Sequence, residues 1–186
     1  PINFGNQIVP IFTKLGCNGG GCHGKASGQN GFKLSLLGFE PDVDYNALVK
    51  EARGRRLFPA APDHSLLLLK ATDTISHEGG QRFTKDSSAY HTIEQWIRSG
   101  MAFRAEGEPT LQRLAVEPAT HLYHKGDAQQ LHVKALYSDG STRDVTALAG
   151  FSSNDKDIAR VTDDGAVTIG KMSGQGVVVA RFMGLV

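Results

Sequence analysis

Both cysteines of the chain, Cys17 and Cys22, lie five residues apart, and His23 directly follows the second. Thiols and imidazoles act as nucleophiles and metal ligands, so this stretch is where the sequence offers chemistry. Three glycines, Gly19 to Gly21, fill most of the gap. Four kinds of site use these residue types: a disulfide, a zinc site, a catalytic thiol and a covalently attached haem.

The first three kinds of site each leave part of the pattern unexplained. A disulfide between Cys17 and Cys22 closes a small loop, stabilises little and has no need of His23. A zinc site prefers four ligands, and the chain contains no further cysteine. A catalytic thiol needs one cysteine rather than two.

A covalent haem uses all three residues. Two thiols add to the vinyl groups of the porphyrin while the following histidine binds the iron, usually in the form C-x-x-C-H. Here the form is C-x-x-x-x-C-H, and the glycines give the two extra residues freedom to bulge away. We predict one haem c per chain, with thioethers to Cys17 and Cys22 and with His23 as the proximal iron ligand. Zinc and a disulfide stay open as alternatives.

The second axial ligand of the iron is expected from a later histidine or methionine. Four residues qualify: His64, His77, His91 and Met101. His77 is preferred because it lies in a loop just before the last predicted helix, where Gly79 and Gly80 permit close approach of the backbone to a flat ring. Simpler roles explain the others, namely capping or surface exposure for the two histidines and core packing for the methionine. We therefore predict bis-histidine ligation by His23 and His77.

Arginines and apolar residues are expected around such a group. Arg56, within the basic cluster 53–56, and Arg82 are predicted partners of the haem propionates, since guanidinium groups suit carboxylates. The alternative for the cluster is an ordinary solvated face. Seven apolar residues are predicted either to wall the ring or simply to form core: Phe32, Leu34, Leu36, Phe39, Leu57, Phe58 and Phe83.

The first half of the chain has apolar residues at helical spacing between glycine-rich loops. The pattern predicts a helix from about Phe4 to Cys17, one that begins near Pro41, one capped by Asp63 or Ser65, and a last one from Ser87 or Ser88 to Gly100. The texture changes near residue 105. We predict a haem domain over 1–104, a linker over 105–112 and a second domain over 113–186.

The second half has short alternating runs separated by the turn pairs Asp139-Gly140 and Asp164-Gly165. This pattern predicts an all-β sandwich. Its histidines, His121, His124 and His132, are expected at the surface rather than on a metal.

Composition limits the classes of partner. The formal net charge is +1, so a nucleic-acid-binding or polybasic membrane surface is not expected. The longest apolar run, 176–186, is short and contains Arg181, which argues against a membrane-spanning helix. The chain starts at Pro1 without a leader, so we expect a mature or excised segment of a longer protein.

Several motifs together resemble a known family. The segments "CNGGGCHG", "DHSLLLLKAT", "HEGGQRF" and "IEQWIRSG" are similar to the planctomycete-type cytochrome c modules, over about residues 3–101. The resemblance implies an all-α, class I cytochrome c-like fold in which the terminal helices cross, with Phe12 and Trp96 at the crossing. Many members have a Met-Pro-Pro loop where this chain has His77. The second half resembles the bacterial Ig-like group 2 domains.

The function expected on these grounds is a c-type cytochrome that transfers electrons and is not itself an enzyme, joined to an Ig-like spacer. Covalent haem is attached outside the cytoplasm, so the periplasm or cell surface is the expected location. The expected partners are redox proteins and further domains of the parent chain. Two alternatives remain: a haem sensor or haem enzyme with a displaceable sixth ligand, and a structural module with zinc or a disulfide at the cysteine pair.

Overall fold

The chain forms two compact units, Pro1–Glu108 and Pro109–Val186. The computed structural model describes residues 2–104 and 107–186. The division between the units falls inside the segment 105–112 that the sequence predicts as a linker. Residues 105 and 106 of that segment lie outside the described part.

Helices in the first unit are short and separated by long irregular loops. Over residues 2–104 the α-helices are α1 (Val9–Lys14), α2 (Pro41–Tyr45), α3 (Leu66–Ala71) and α4 (Ser88–Arg98). Single turns of π-helix span Phe4–Ile8 and Asn46–Lys50, and 3-10 turns span Leu36–Gly38, Glu51–Gly54 and Pro62–His64. The last helix agrees with prediction, since the Ser87 side chain accepts a hydrogen bond from the Tyr90 backbone and so caps it.

The expectation of an all-α, class I cytochrome c-like domain is wrong. Over residues 2–104 the helices are too few and too short for that fold, and the longest of them, α4, has 11 residues. Backbone conformation limits several of the helical segments. Gly16, just after α1, and Asp73, just after α3, adopt positive φ angles of 74° and 56°, and Ala52 and Arg53 in the turn after Asn46–Lys50 adopt 50° and 60°. A right-handed helix cannot continue through such residues.

Phe4 is the centre of the aromatic core in the first unit. Its ring centroid lies 5.4 Å from Trp96, 6.3 Å from Phe12 and 6.3 Å from Phe103. Its backbone N–H also donates to the Phe103 carbonyl at 3.3 Å. Phe12 and Trp96 are therefore linked through Phe4, whose ring contacts both of them. Phe4 thus joins the first helical segments of the unit to the last helix.

Asp44 ties the loop after the cysteine motif to α2. This buried carboxylate accepts hydrogen bonds from the Ser35 backbone N–H and, at 2.8 Å, from the Ser35 hydroxyl. Desolvation raises the pKa of Asp44, and the two hydrogen bonds from Ser35 oppose that rise. One residue earlier, Leu34 donates its backbone N–H to the His23 carbonyl at 2.8 Å. The Ser35–Asp44 pair therefore fixes the backbone next to Leu34, whose N–H binds the His23 carbonyl.

The second unit is made of short antiparallel strands. They are β1 (Leu111–Glu117), β2 (Ala128–Gln130), β3 (His132–Tyr137), β4 (Thr142–Asp144), β5 (Gly150–Ser153), β6 (Ala159–Val161), β7 (Ala166–Ile169) and β8 (Val178–Arg181). Over residues 107–186 they form three small sheets with the strand orders β1-β3-β4, β2-β7-β6 and β5-β8. Both predicted glycine turns are present: Gly140 (φ 78°) joins β3 to β4, and Gly165 (φ 85°) joins β6 to β7.

The expectation of an all-β Ig-like sandwich is wrong in its architecture. Small separate sheets replace two facing sheets, because most strands have only three or four residues and cannot extend a broad sheet. The buried residues divide accordingly. One cluster centres on Val133, Ala135 and Tyr137, and a smaller one consists of Leu131, Ala159 and Val167.

Helices of the described residues are all shorter and more polar than a lipid bilayer requires of a spanning segment. This agrees with the expectation from the apolar runs.

The Ser35–Asp44 link can be tested by substitution. Asp44→Ala leaves the buried Ser35 N–H without its acceptor, so we expect the free energy of unfolding to fall by about 1–3 kcal/mol. Trp96 is the single tryptophan and is buried in the first unit, so its fluorescence during denaturant unfolding measures that unit alone. The matched control, Asp42→Ala, removes an exposed carboxylate from the same helix and should change little. Equal losses in the two variants would contradict the role of Asp44.

Candidate functional site

A cavity of about 640 Å³ lies in the first unit, and the cysteine motif forms part of its wall. The lining residues are Phe12, Cys17, Gly21, Cys22, His23, Gln29, Asn30, Phe32, Leu34, Leu48, Arg55, Arg56, Leu66, Leu67, Lys70, Ala71, Ser76, His77, Glu78, Gly79 and Arg82. The volume is in the range of small-molecule and cofactor sites. The cavity brings together Cys17, Cys22, His23 and His77, the residues that the sequence predicts as ligands, together with both predicted arginines.

The motif between the two cysteines is a compact turn that follows α1. The Cys17 N–H donates to the Phe12 carbonyl at 2.8 Å, and the His23 N–H donates back to the Cys17 carbonyl at 3.0 Å. These bonds fold the segment so that both thiols and the imidazole reach one cavity.

The strongest requirements for glycine lie on either side of this turn. Gly16 has a φ of +74°, and a Cβ on Gly24 would lie 1.9 Å from the Asn18 carbonyl oxygen. None of Gly19 to Gly21 adopts a positive φ, although a Cβ on Gly19 would lie 3.2 Å from the Gly16 carbonyl oxygen. That these three supply freedom for haem attachment stays a prediction, and the close approach at Gly24 is the constraint that sequence reasoning missed.

His23 and His77 face the cavity as a pair of parallel rings. Their centroids are 6.3 Å apart and their planes differ by 10°. Each Nδ1 makes a 3.0 Å hydrogen bond with a backbone carbonyl, that of Phe32 for His23 and that of Gly80 for His77. Because a carbonyl only accepts, both rings carry their proton on Nδ1. In the neutral imidazole this tautomer leaves the lone pair on Nε2, and neither Nε2 makes a hydrogen bond within the described part of the chain.

The 6.3 Å between the two ring centroids can be compared with the distance expected for two imidazoles on one metal atom. A bond from an imidazole nitrogen to a metal is about 2 Å, so two such bonds with half a ring at either end span about 6 Å. Ligating histidines characteristically donate the other ring N–H to a carbonyl or carboxylate, which fixes tautomer and orientation. The centroid separation and the two Nδ1 hydrogen bonds are the features that two imidazoles on a single metal atom would share.

Electrostatics favour the form of His23 that binds a metal. Desolvation lowers its pKa, and the nearby His77, Arg56 and Arg82 act in the same direction, while the hydrogen bond to the Phe32 carbonyl opposes them. At neutral pH His23 is therefore uncharged, as a ligand must be.

Both thiols are free in the structure. Desolvation raises the pKa of Cys17 to about 11, although the positive charge of Arg82 counteracts part of that effect. The same guanidinium places Nη2 3.6 Å from the Cys22 Sγ and Nη1 3.4 Å from the Leu15 carbonyl. Arg82 is thus the cation that contacts the cysteine motif directly.

Arg56 has a largely structural environment. It is buried, donates to the Ala47 and Gly31 carbonyls at 2.7 Å each, and lies 4.6 Å from the centroid of the Phe32 ring. These two bonds use part of its five N–H donors. Its neighbour Arg55 is exposed and also lines the cavity, a position that the sequence analysis did not single out.

Other residues considered from the sequence lie elsewhere. His64, His91 and Met101 do not line the cavity, and both histidines are largely exposed. Of the seven predicted wall residues, Phe32 and Leu34 line it, Leu57 and Phe83 are buried outside it, and Leu36, Phe39 and Phe58 are exposed. Apolar walls are supplied instead by Phe12, Leu48, Leu66 and Leu67. The run "SLLLLK" is the sequence signal that could have identified the last two.

Over residues 2–104 and 107–186, no group of three or more histidine, cysteine, aspartate or glutamate side chains is arranged to hold a metal ion. A tetrahedral zinc site commonly uses four protein ligands. The described residues therefore add no support to the zinc alternative at the cysteine pair, which stays a prediction.

Comparison with known proteins gives one informative match. No family model matches the chain. Over 107 residues, 58% of the chain, it is 30% identical to Ice-binding protein 1 of Shewanella frigidimarina. The chain spans about one eighth of that relative's length, since the matched part is 12% of it.

These findings overturn the predicted function. An electron-transfer cytochrome joined to an Ig-like spacer is not what the comparison finds, because the matched relative carries the name of an ice-binding protein. The described residues also lack a multi-ligand metal cluster. The description as a cytochrome is therefore corrected. The cofactor is a separate question, because an iron in a porphyrin takes four ligands from the ring and only one or two from the protein.

The raised pKa of Cys17 predicts slow alkylation. At pH 8 a thiol with a pKa of about 11 is deprotonated in about one molecule per thousand, and only the thiolate reacts. In haem-free Cys22→Ser protein, iodoacetamide should modify Cys17 slowly, with a rate that rises tenfold per pH unit up to pH 10. The reference is the Cys17→Ser, Cys22→Ser, Ser173→Cys variant, whose thiol is exposed. Equal rates for the two proteins at pH 8 would contradict the burial of Cys17.

Proposed function

We propose that the first unit is a haem-binding module. One haem c occupies the cavity, with thioethers to Cys17 and Cys22 and with His23 and His77 as the axial ligands. The observation that carries this proposal is the pair of parallel imidazoles, 6.3 Å apart, each anchored through Nδ1 to a carbonyl. When bound, the group supplies one iron with two axial positions for the protein to fill.

The chain's own residues prepare those positions. The Phe32 and Gly80 carbonyls hold each imidazole in the tautomer that exposes Nε2, so no reorganisation of the rings is needed for ligation. Adjacency of Cys22 and His23 places a thiol beside one ligand, and Arg82 keeps that thiol in position through its 3.6 Å contact. Cys17 and Cys22 would hold the group through thioethers, for which each thiol S–H would add across a vinyl C=C bond with no leaving atom.

Charge around the cavity supports an anionic ligand. Four cations line it, namely Arg55, Arg56, Lys70 and Arg82, against a single carboxylate, that of Glu78. The carboxylates of a haem suit guanidinium donors, and Arg56 and Arg82 are the proposed partners. Leucine and phenylalanine side chains supply apolar wall for a flat ring, beside the polar residues Gln29, Asn30 and Ser76.

The proposal has consequences for class and location. We propose a binding module rather than an enzyme, because His23 and His77 would both be engaged in holding the group and would leave no ligand position for a substrate. Covalent attachment of haem implies the periplasm or cell surface. The match to one eighth of a longer protein supports a module that works beside further domains of a longer chain.

Haem attachment tests the proposal directly. Expressed with haem-maturation machinery, the full chain should gain the mass of one haem and keep its colour through acid-acetone extraction. Cys17→Ser and Cys22→Ser should each retain one thioether, while the double variant should release haem to the solvent. Colourless wild-type protein, or haem that extracts from it, would refute the proposal.

Exchange of the second axial ligand gives an independent spectroscopic test. His77→Met should introduce the long-wavelength charge-transfer band of ferric iron bound by methionine, because the thioether replaces an imidazole. His91→Met is the matched control, since His91 is exposed on α4 and lies outside the cavity. The control should leave the spectrum unchanged. A band in neither variant, with haem retained, would exclude His77 as the ligand.

A further inference from the structure

Gly79 lies beside the side chains of both His77 and Arg82. A Cβ built on Gly79 would be 2.7 Å from Cε1 of His77, 3.2 Å from its Nδ1 and 2.9 Å from Nη2 of Arg82. Real Cβ atoms essentially never lie within 3.0 Å of another heavy atom of this kind, so the distances of 2.7 Å and 2.9 Å would force His77 or Arg82 to move. The backbone at Gly79 does not adopt a positive φ, so an alanine there would not be strained in itself. Glycine is therefore needed at position 79 to leave room for the side chains of His77 and Arg82, and not because of its backbone conformation.

We infer that Gly79 is a positioning residue that sets the orientation of the His77 imidazole and, with it, the contact between Arg82 and Cys22. This inference rests on the proposed haem site, whose second ligand is His77. The absence of a Cβ lets both side chains reach the cavity past the same point of the loop.

Neither neighbour can yield to a methyl group without loss. If the His77 ring turns away, it strains or breaks the 3.0 Å bond from Nδ1 to the Gly80 carbonyl. If Arg82 moves, it gives up contacts with the Leu15 carbonyl at 3.4 Å and the Cys22 sulfur at 3.6 Å. A substitution at Gly79 should therefore displace both the His77 ring and the Arg82 guanidinium that contacts the Cys22 thiol.

Ring orientation has its own spectroscopic signature. Two axial imidazoles with parallel planes give ferric low-spin iron an electron paramagnetic resonance spectrum with three well-separated g values. Rotation of one ring away from parallel moves the largest g value upward, and loss of the ring gives a high-spin signal. The 10° angle between His23 and His77 thus predicts the first type of spectrum for the wild type.

The test compares Gly79→Ala with the wild type in the full, haem-loaded chain. We expect the variant to shift the largest g value upward or to show a high-spin fraction, with an unchanged unfolding midpoint by Trp96 fluorescence. Gly5→Ala is the matched control, because a Cβ at Gly5 meets nothing within 4 Å and its φ is not positive. The control should match the wild type. A Gly79→Ala spectrum identical to the wild type, or failure of that variant to fold, would overturn the inference.

Failure of the haem proposal is distinguishable from failure of this inference. If the wild-type chain carries no haem, the proposed function fails, and ring position is then measured on that chain by imidazole ¹H–¹⁵N NMR. The bond to Gly80 predicts that His77 is protonated on Nδ1 in the wild type and in Gly5→Ala. Gly79→Ala should shift His77 toward the Nε2-protonated tautomer. Identical tautomers in all three proteins would overturn the inference.

Discussion

The first unit depends on two hydrogen bonds from imidazole to backbone. Without the Phe32 and Gly80 carbonyls, His23 and His77 would be ordinary half-buried histidines with free choice of tautomer and rotamer. With them, two lone pairs are fixed in one cavity at a separation that a single metal atom can bridge. The backbone of His23 is held by neighbouring contacts as well. The His23 carbonyl is itself held by Leu34, and the next residue, Ser35, is fixed by the buried carboxylate of Asp44.

Residue types and short spacings in the sequence predict more of the candidate site than of the fold. The adjacency of Cys22 and His23 is local, so the sequence alone places the two side chains together. The glycines after His77 are the sequence feature that favours it, and in the structure Gly80 supplies the acceptor for its Nδ1 while Gly79 leaves space for its ring. The need for glycine at position 24 depends on the Asn18 carbonyl, which comes near only after the turn has folded. Such tertiary contacts leave no periodic signal.

The architecture was predicted less well, for reasons that particular residues make clear. Helical spacing of apolar residues is real in the first half, yet Leu37, Ala52 and Arg53 turn the chain left-handed and end the helical turns early. In the second half the strands and their glycine turns follow from alternation and from Asp-Gly pairs. How the strands assemble depends on their length and pairing, which local patterns do not contain. Resemblance to all-α and sandwich folds therefore overstated the regularity of both units.

Phe4 has a meaning beyond its place in the core. Its backbone bond to Phe103 and the contact between their rings bring the polypeptide out of the first unit beside the point at which it entered. A unit whose entry and exit are neighbours can be inserted into a surface loop of another domain without pulling that loop apart. Adjacent entry and exit points therefore suit this unit to serve as a domain within multidomain proteins of different functions.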